Sequence, residues 1–511
     1  MTTPQQTPST LLDLLRAVPG SNTAVIVPEQ NLSITYANLC DQVEAFAETL
    51  AGLGVRRGDR VGIALPNGLP VIVAFLAAAT AGTAAPLNPG YKEDEFKFYL
   101  EDTNAKVLLL PVDGADDARR AAGTTVPVYG VAMDAAGTVT IQNAKGRQKV
   151  APPAVDDVAL ILHTSGSTGR PKRVPLSHAN LSISSGNIAR HYQLSDTDVS
   201  LCVMPLFHVH GLVASTLATL RTGGTVVVPG KFNPLSFWRV AEDTGATWYS
   251  AVPTIHQLLL ARAKPGDAPP KGAEKLRFIR SCSASLPPAL MEGLEKAFGA
   301  PVLEAYGMTE AAHQMASNPL PPAAHKAGSV GQGSDVQVSI MDQKGNHLKP
   351  GDRGEVVIKG PNVTSGYESN AEANATSFVD GWFRTGDEGI IDAEGYLTLV
   401  GRIKELINRG GEKISPREID EVLLTHPSVA EAVSFGLPHK MWGEEVAAAV
   451  VLKDPAATEA ALLAFCKERL AEFKRPKQIF ITEAIPRTAT GKIQRRVVAQ
   501  VYSEQAAGSR P

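Results

Sequence analysis

From about residue 105 to 305 the chain alternates short apolar runs with longer amphipathic segments. Residues 107–110, 159–162, 201–203, 225–228, 248–251, 278–279 and 302–303 each read as a buried strand. Helix-period segments at 236–243 and 287–298 fall between some of them. Such alternation predicts α/β layers, and several of the runs end in polar, glycine- or histidine-bearing loops. In open α/β sheets ligands gather at the carboxyl ends of strands, so these loops are where chemistry is expected.

One stretch has the hydropathy of a membrane span. No charged residue occurs between Arg60 and Lys92, and residues 69–85 are nearly all apolar. Pro66, Asn67, Pro70, Thr80, Gly82 and Thr83 punctuate it, and no aromatic belt flanks it, so a buried core helix from near Pro70 to near Gly82 is expected, and no membrane insertion.

After Gly328 the texture shifts to Val/Ile-rich pieces separated by turn residues, including 335–341 and 354–360, which predicts a smaller β-rich subdomain over about 328–401. Residues 401–416, Gly-Arg-Ile-Lys-Glu-Leu-Ile-Asn-Arg-Gly-Gly-Glu-Lys-Ile-Ser-Pro, join charges to the double glycine Gly410 and Gly411, which suits a domain boundary. The last hundred or so residues read as α+β, with a helix near 416–424, strands near 432–436 and 446–452, and a helix near 458–473. The expected fold class is therefore α/β: a large N-terminal α/β region over 1–401 that includes the β-rich subdomain, followed by a small α+β C-terminal domain over 402–511.

Composition narrows the function classes. The 511 residues are 44% hydrophobic and 20% charged with a net charge of -3, which describes a soluble globular protein and leaves no basic footprint for nucleic acid. The four cysteines, Cys40, Cys202, Cys282 and Cys466, are too scattered for a zinc ribbon or disulfide framework and suit a reducing compartment. The first 20 residues lack the basic-then-apolar pattern of a secretory signal. The last three, Ser509, Arg510 and Pro511, end in proline where a peroxisomal tripeptide ends in leucine, so a cytoplasmic location is expected over a peroxisomal one.

Residues 163–174, His-Thr-Ser-Gly-Ser-Thr-Gly-Arg-Pro-Lys-Arg-Val, place four hydroxyls, two glycines and Lys172 directly behind the apolar run 158–162. Glycines admit a polyphosphate close to the backbone, hydroxyls and N–H groups donate, and the lysine supplies charge. The spacing is not that of a P-loop NTPase, because Arg170 and Pro171 follow Gly169, and a Ser/Thr/Gly surface linker is the bland alternative. At 304–310, Glu-Ala-Tyr-Gly-Met-Thr-Glu offers a tyrosine to stack on a base, a threonine hydroxyl for a phosphate oxygen and a carboxylate for Mg²⁺, although a helix N-terminus would explain it equally. Residues 381–387 set Asp387 beside a glycine turn, an acceptor suited to the two hydroxyls of a ribose. Residues 486–496 present Lys492 on a loop whose alternative reading is a solvated basic face.

Together and in this order, these segments resemble the adenylate-forming superfamily of acyl-CoA synthetases, peptide-synthetase adenylation domains and luciferases. The resemblance implies a small C-terminal domain that is mobile about a hinge, and a two-step reaction on ATP, Mg²⁺ and CoA. A carboxylate first attacks the α-phosphate to give an acyl adenylate and pyrophosphate, and a thiol then takes the acyl group. It further implies that Thr164, Ser165, Gly166, Ser167, Thr168, Gly169 and Lys172 hold the β- and γ-phosphates and that Tyr306 stacks on adenine. Thr309 would touch the α-phosphate, Glu310 would hold Mg²⁺, Asp387 with Arg402 would bind the ribose, and Lys404 would be the pivot. Lys492 would bridge carboxylate and α-phosphate. The chain departs from the family in one place: Arg173 follows the loop lysine where glycine is usual, and it would either strengthen phosphate binding or stiffen the loop.

The acid pocket is unusual for such a scaffold. Residues 205–212 (Pro-Leu-Phe-His-Val-His-Gly-Leu), 251–257 (Ala-Val-Pro-Thr-Ile-His-Gln) and 278–285 (Phe-Ile-Arg-Ser-Cys-Ser-Ala-Ser) all follow or include predicted strands, and His313 follows the Tyr-Gly-Met-Thr-Glu segment. A fatty or aromatic acid wants apolar walls, whereas inward histidines and hydroxyls suit a short polar acid, above all a dianion that needs matched donors. Each histidine has a structural alternative, and a His208/His210 metal pair lacks an evident further ligand. These strings resemble the branch of the superfamily that activates oxalate, with His208, Ser283 and His313 as the candidate acid contacts and His208 also a candidate in catalysis. The competing expectations are a medium-chain or hydroxycinnamate CoA ligase and a nucleotide-binding protein without catalysis.

Overall fold

The computed structural model describes residues 7, 9–164, 171–264, 266–488 and 493–508, with backbone alone for 505–508. The chain divides into two units, one comprising Met1–Leu286, Leu290–Val338 and Ile358–Phe383, the other Pro287–Ala289, Ser339–Val357 and Arg384–Pro511.

The first unit is built on two sheets. One has nine strands in the order Gln332–Gly333, His313–Ser317, Val302–Met308, Phe278–Ser281, Trp248–Ala251, Val199–Cys202, Thr225–Val227, Thr23–Val27 and Leu32–Thr35. Every adjacent pair from Val302–Met308 to Thr23–Val27 is parallel, and both edges turn antiparallel. Tyr249 and Ile279 pack against helices Phe237–Thr244 and Pro288–Phe298 through Phe237, Ala241, Leu290, Leu294 and Phe298. By strand alternation, Ser250 and Arg280, paired in register on neighbouring strands, point to the opposite face. The second sheet has seven strands in the order Val139–Ile141, Val128–Met133, Ala105–Pro111, Arg60–Ile63, Thr83–Pro86, Val158–Thr164 and Lys172–Ser177. The last two form an antiparallel hairpin with Thr164 opposite Lys172.

The apolar stretch after Arg60 contains the helix Leu69–Ala81, buried at every residue except Pro70. A helix apolar on all sides is stable inside a protein when every side has a partner. No helix among the described residues is long and apolar enough to cross a membrane. The strands Arg60–Ile63 and Thr83–Pro86 were not separable in the sequence, because they are as apolar as the helix they flank.

The second unit holds most of a five-stranded sheet of Gln337–Met341, Arg353–Lys359, Trp382–Ile391, Phe378–Val379 and Leu397–Arg402, and all of another of Glu412–Ile414, Ile407–Arg409, Gly443–Leu452, Val429–His439 and Gln478–Ile481. Helices Pro416–Leu424 and Glu459–Arg469 bury Ile419, Leu423, Leu462 and Cys466 on one side of the latter sheet, with Ala432 and Val446. Val433 and Phe435, alternate along the same strand, pack with Val498 and Tyr502 of helix Arg495–Gly508. The expected helix at 458–473 is two pieces, the α-helix ending at Arg469 and a 3₁₀ turn at Glu472–Lys474.

Candidate functional site

The hairpin Val158–Thr164 to Lys172–Ser177 fixes both flanks of the glycine-hydroxyl loop. Ser165, Gly166, Ser167, Thr168 and Gly169 themselves lie outside the described residues. At its far flank the Lys172 ammonium stands 4.4 Å from the centroid of the Tyr367 ring, and the Tyr367 hydroxyl donates to Glu310 Oε1 at 2.8 Å. Glu310 is buried on a single 3₁₀ turn, Thr309–Ala311, that ends the strand Val302–Met308. A carboxylate there, with one oxygen engaged by a phenol, is a hard oxygen donor of the kind Mg²⁺ takes together with phosphate oxygens, so the residues present fit that ion. Tyr367 was not legible as a site residue; it sits in a loop with no motif around it.

Arg173 faces away from Lys172, as the next residue on a strand must. Its Nε lies 3.3 Å from Glu368 Oε2 and 3.7 Å from Asp102 Oδ2, and its guanidinium also donates to the Asp102 carbonyl. His163, opposite it in the hairpin, meets Asp102 Oδ2 at 3.0 Å, and Arg60 pairs with Glu368. Neighbouring residues 172 and 173 are thus each matched by neighbouring residues 367 and 368. Of the two expectations for Arg173, this geometry supports stiffening of the hairpin.

Tyr306, the tyrosine offered to stack on a base, lies within the strand Val302–Met308 at 8% exposure, and the segment is a strand entering a turn and not a helix N-terminus. Gly307 beside it is obligatory: a Cβ there would lie 2.3 Å from the His313 carbonyl oxygen. The close approach carries His313 to its place at the start of the antiparallel strand His313–Ser317.

The polar acid-pocket candidates converge around a residue the sequence reading passed over. Arg280 is fully buried on the strand Phe278–Ser281. Its Nη1 donates to Ser250 Oγ at 2.9 Å and lies 3.4 Å from His210 Nε2; its Nη2 meets His313 Nδ1 at 3.3 Å and Gln314 Oε1 at 2.9 Å; its Nε meets the Tyr192 hydroxyl at 3.0 Å. All these partners are neutral groups, and no ion pair joins Arg280 to a carboxylate among the described residues. A lone charge inside the run Phe-Ile-Arg-Ser was the available signal, since unpaired arginines are almost never fully buried.

His210, at the head of the π-helical segment His210–Leu217, meets Ser283 Oγ through Nδ1 at 3.0 Å and Ser250 Oγ through Nε2 at 2.6 Å. Its ring centroid is 5.2 Å from that of His313. Gly211 lets the segment seat here, because a Cβ would fall 2.5 Å from the Pro205 carbonyl oxygen. Partly buried His208 accepts the His210 backbone N–H on Nδ1 at 3.2 Å, which leaves its proton on Nε2. Burial, then the charge of Arg280, pushes His210 and His313 well below the usual imidazole pKa. Both are neutral at pH 7. His256 is a core residue: it approaches the Tyr249 hydroxyl at 3.4 Å, and burial lowers its pKa to about 4.

In the second unit Asp387 and Arg402 face each other in register on paired strands, joined at 2.8 Å. Lys404 is exposed on the 3₁₀ turn Ile403–Glu405 between two strands. Lys492 lies outside the described residues, but the base of its loop is closed: Arg487 bridges Ile493, and Gln494 donates its backbone N–H to the Pro486 carbonyl at 3.0 Å. Three residues past Lys492, the partly buried Arg495 pairs with Asp420 at 2.8 Å and with Glu405 at 3.3 Å.

Residues 16–368 match the family model described as AMP-binding enzyme, and 418–492 match the AMP-binding enzyme C-terminal domain. An oxalate–CoA ligase of Arabidopsis thaliana is 49% identical over 93% of this chain and 94% of its own length. An oxalate–CoA ligase of Saccharomyces cerevisiae is 46% identical over 95% of each chain. The crystal structure of ATP-bound MatB from Rhodopseudomonas palustris superposes with a TM-score of 0.90 at 30% identity, covering 98% of this chain and 100% of that one.

Proposed function

The chain belongs to the AMP-binding enzyme family of ATP-dependent, AMP-forming acid–CoA ligases, and from that premise we propose that its acid is oxalate and its product oxalyl-CoA. The observation that carries this reading is the set of oriented donors behind the strand ends. His208 keeps its proton on Nε2, His313 receives a guanidinium N–H on Nδ1 and so keeps its own on Nε2, and Ser283 receives an N–H from His210 and so keeps its hydroxyl hydrogen to give. A medium-chain or hydroxycinnamate acid would offer no second carboxylate to the Ser283 and His313 donors, at roughly 1–3 kcal/mol each. A second carboxylate accepts from them.

In this reading Thr164, Lys172 and the loop between them hold the β- and γ-phosphates, Tyr306 packs on adenine, Thr309 contacts the α-phosphate, and Asp387 takes the ribose hydroxyls with Arg402. Glu310 would hold Mg²⁺, which supplies Lewis-acid charge neutralisation to the polyphosphate when bound. The free carboxylate of oxalate attacks the α-phosphorus, the bond to the bridging oxygen breaks, and pyrophosphate leaves. Lys492 offsets the repulsion between the two anions in that step, a contribution of roughly 10² to 10³ in rate. The CoA thiolate then attacks the acyl carbon and AMP departs. The domain division at 402, with Lys404 as pivot, belongs to the same reading, as does a cytoplasmic location, which the four free cysteines support.

Two measurements test this. With ATP, Mg²⁺ and CoA, oxalate is expected to yield AMP and oxalyl-CoA one for one; ADP as the nucleotide product would contradict it. Lys492→Ala is expected to lose adenylate formation by about 10² to 10³ yet still pass a supplied oxalyl adenylate to CoA. Full ATP-dependent activity in that variant removes the role.

A further inference from the structure

The surroundings of Arg280 are organised from it outward. A guanidinium donates and never accepts, so the direction of every bond it makes is fixed. Along one arm Nη1 donates to Ser250 Oγ at 2.9 Å, the Ser250 hydroxyl hydrogen is thereby turned to His210 Nε2 at 2.6 Å, and His210 Nδ1–H points to Ser283 Oγ at 3.0 Å. Ser283 ends the series with its own hydrogen to give. Along the other arm Nη2 meets His313 Nδ1 at 3.3 Å, which leaves the proton of that ring on Nε2. Gln314 Oε1, at 2.9 Å from Nη2 and 3.2 Å from Nε, and the Tyr192 hydroxyl at 3.0 Å hold the guanidinium plane. The charge is sealed at 0% exposure among neutral groups, an arrangement that is costly for an isolated cation and favours whichever ligand carries the most negative charge nearby.

We propose that Arg280 is the specificity-determining positioning residue for the acid: a fixed buried charge that aligns the Ser250–His210–Ser283 relay and His313 toward the second carboxylate and makes a dianion the preferred ligand. This rests on the oxalate reading above. Burial, with the charge of Arg280 adding to it, keeps His210 and His313 neutral, so the donors stay oriented by hydrogen bonds and not by titration.

The test compares oxalate with acetate by acid-dependent pyrophosphate release in wild type, Arg280→Met, Arg280→Lys and Ser250→Ala. Arg280→Met is expected to raise the oxalate KM on the order of tenfold to a hundredfold, to change the ATP KM by less than about twofold, and to lower the oxalate-to-acetate ratio of kcat/KM by about the same tenfold or more. Arg280→Lys, which restores charge without the fork, is expected to fall between Met and wild type. Ser250→Ala, which cuts one arm and leaves the charge, is expected to raise the oxalate KM by about threefold to tenfold. Equal losses on oxalate and acetate in Arg280→Met, or an unchanged oxalate KM in Ser250→Ala, overturn the assignment. A wild type that releases no pyrophosphate with oxalate fails the acid reading itself, whereas an oxalate-active wild type whose ratio survives Arg280→Met fails this inference alone.

Discussion

His313 is held at φ 112 and Ser283 at φ 71, backbone conformations that cost a non-glycine residue roughly 1–3 kcal/mol each and persist where the surroundings over-determine them. Both residues were singled out from the sequence as acid contacts, and both are held in strained backbone beside Gly307 and the Arg280 relay. The strain goes with side chains being aimed. His208→Ala and His313→Ala are therefore expected to raise the KM for oxalate by about tenfold while the ATP KM moves far less, as steady-state kinetics with each substrate varied in turn would show. Equal effects on both constants argue against direct contact. The sequence marked His208, Ser283 and His313 as candidates because histidine and serine stand out in apolar runs. It did not mark Arg280, Ser250 or Gln314, whose meaning depends on register between strands far apart in the chain.

The hairpin that flanks the glycine-hydroxyl loop is an element stabilised from outside itself. Its Lys172 face is met by Tyr367 and its Arg173 face by Glu368 and Asp102. Removing Arg173 leaves Asp102 and Glu368 with fewer partners at the root of the loop. Arg173→Ala is expected to raise the ATP KM by about threefold to tenfold with little change for oxalate, and a double-mutant cycle with Glu368→Ala is expected to show about 0.5–3 kcal/mol of coupling in thermal stability. Additive losses would mean that the ion cluster is a bystander. Strand and helix positions in the α/β layers, such as Trp248–Ala251, Pro288–Phe298 and Pro416–Leu424, were readable from periodicity because burial on both faces or on one stripe leaves a clear pattern. The helix Leu69–Ala81 in the apolar stretch after Arg60 lies where Pro70 and Gly82 put it, but the strands Arg60–Ile63 and Thr83–Pro86 that flank it, and the π-helical segment at His210, were not readable, since their boundaries are set by packing and not by polarity.

At the scale of the molecule, burial of neutral histidines ties stability to pH. His178 accepts the Leu11 N–H on Nδ1 at 3.2 Å and gives its Nε2 proton to the Ala79 carbonyl at 3.0 Å, and burial lowers its pKa to about 4, as it does that of His256. In the unfolded chain each titrates near 6.5, so between 6.5 and 4 the unfolded state binds more protons than the folded one. The contribution is whole above that window and is lost as pH falls through it, at about 1.4 kcal/mol per pH unit for each histidine. The melting temperature is expected to drop from pH 7 to pH 5, and His256→Gln is expected to shallow the drop; a flat profile would contradict the assignment of neutral buried rings. The most direct measurement is pyrophosphate release with oxalate, malonate, acetate, octanoate and coumarate at matched concentrations: the account predicts the highest kcat/KM for oxalate, and a higher value for octanoate or coumarate would contradict it.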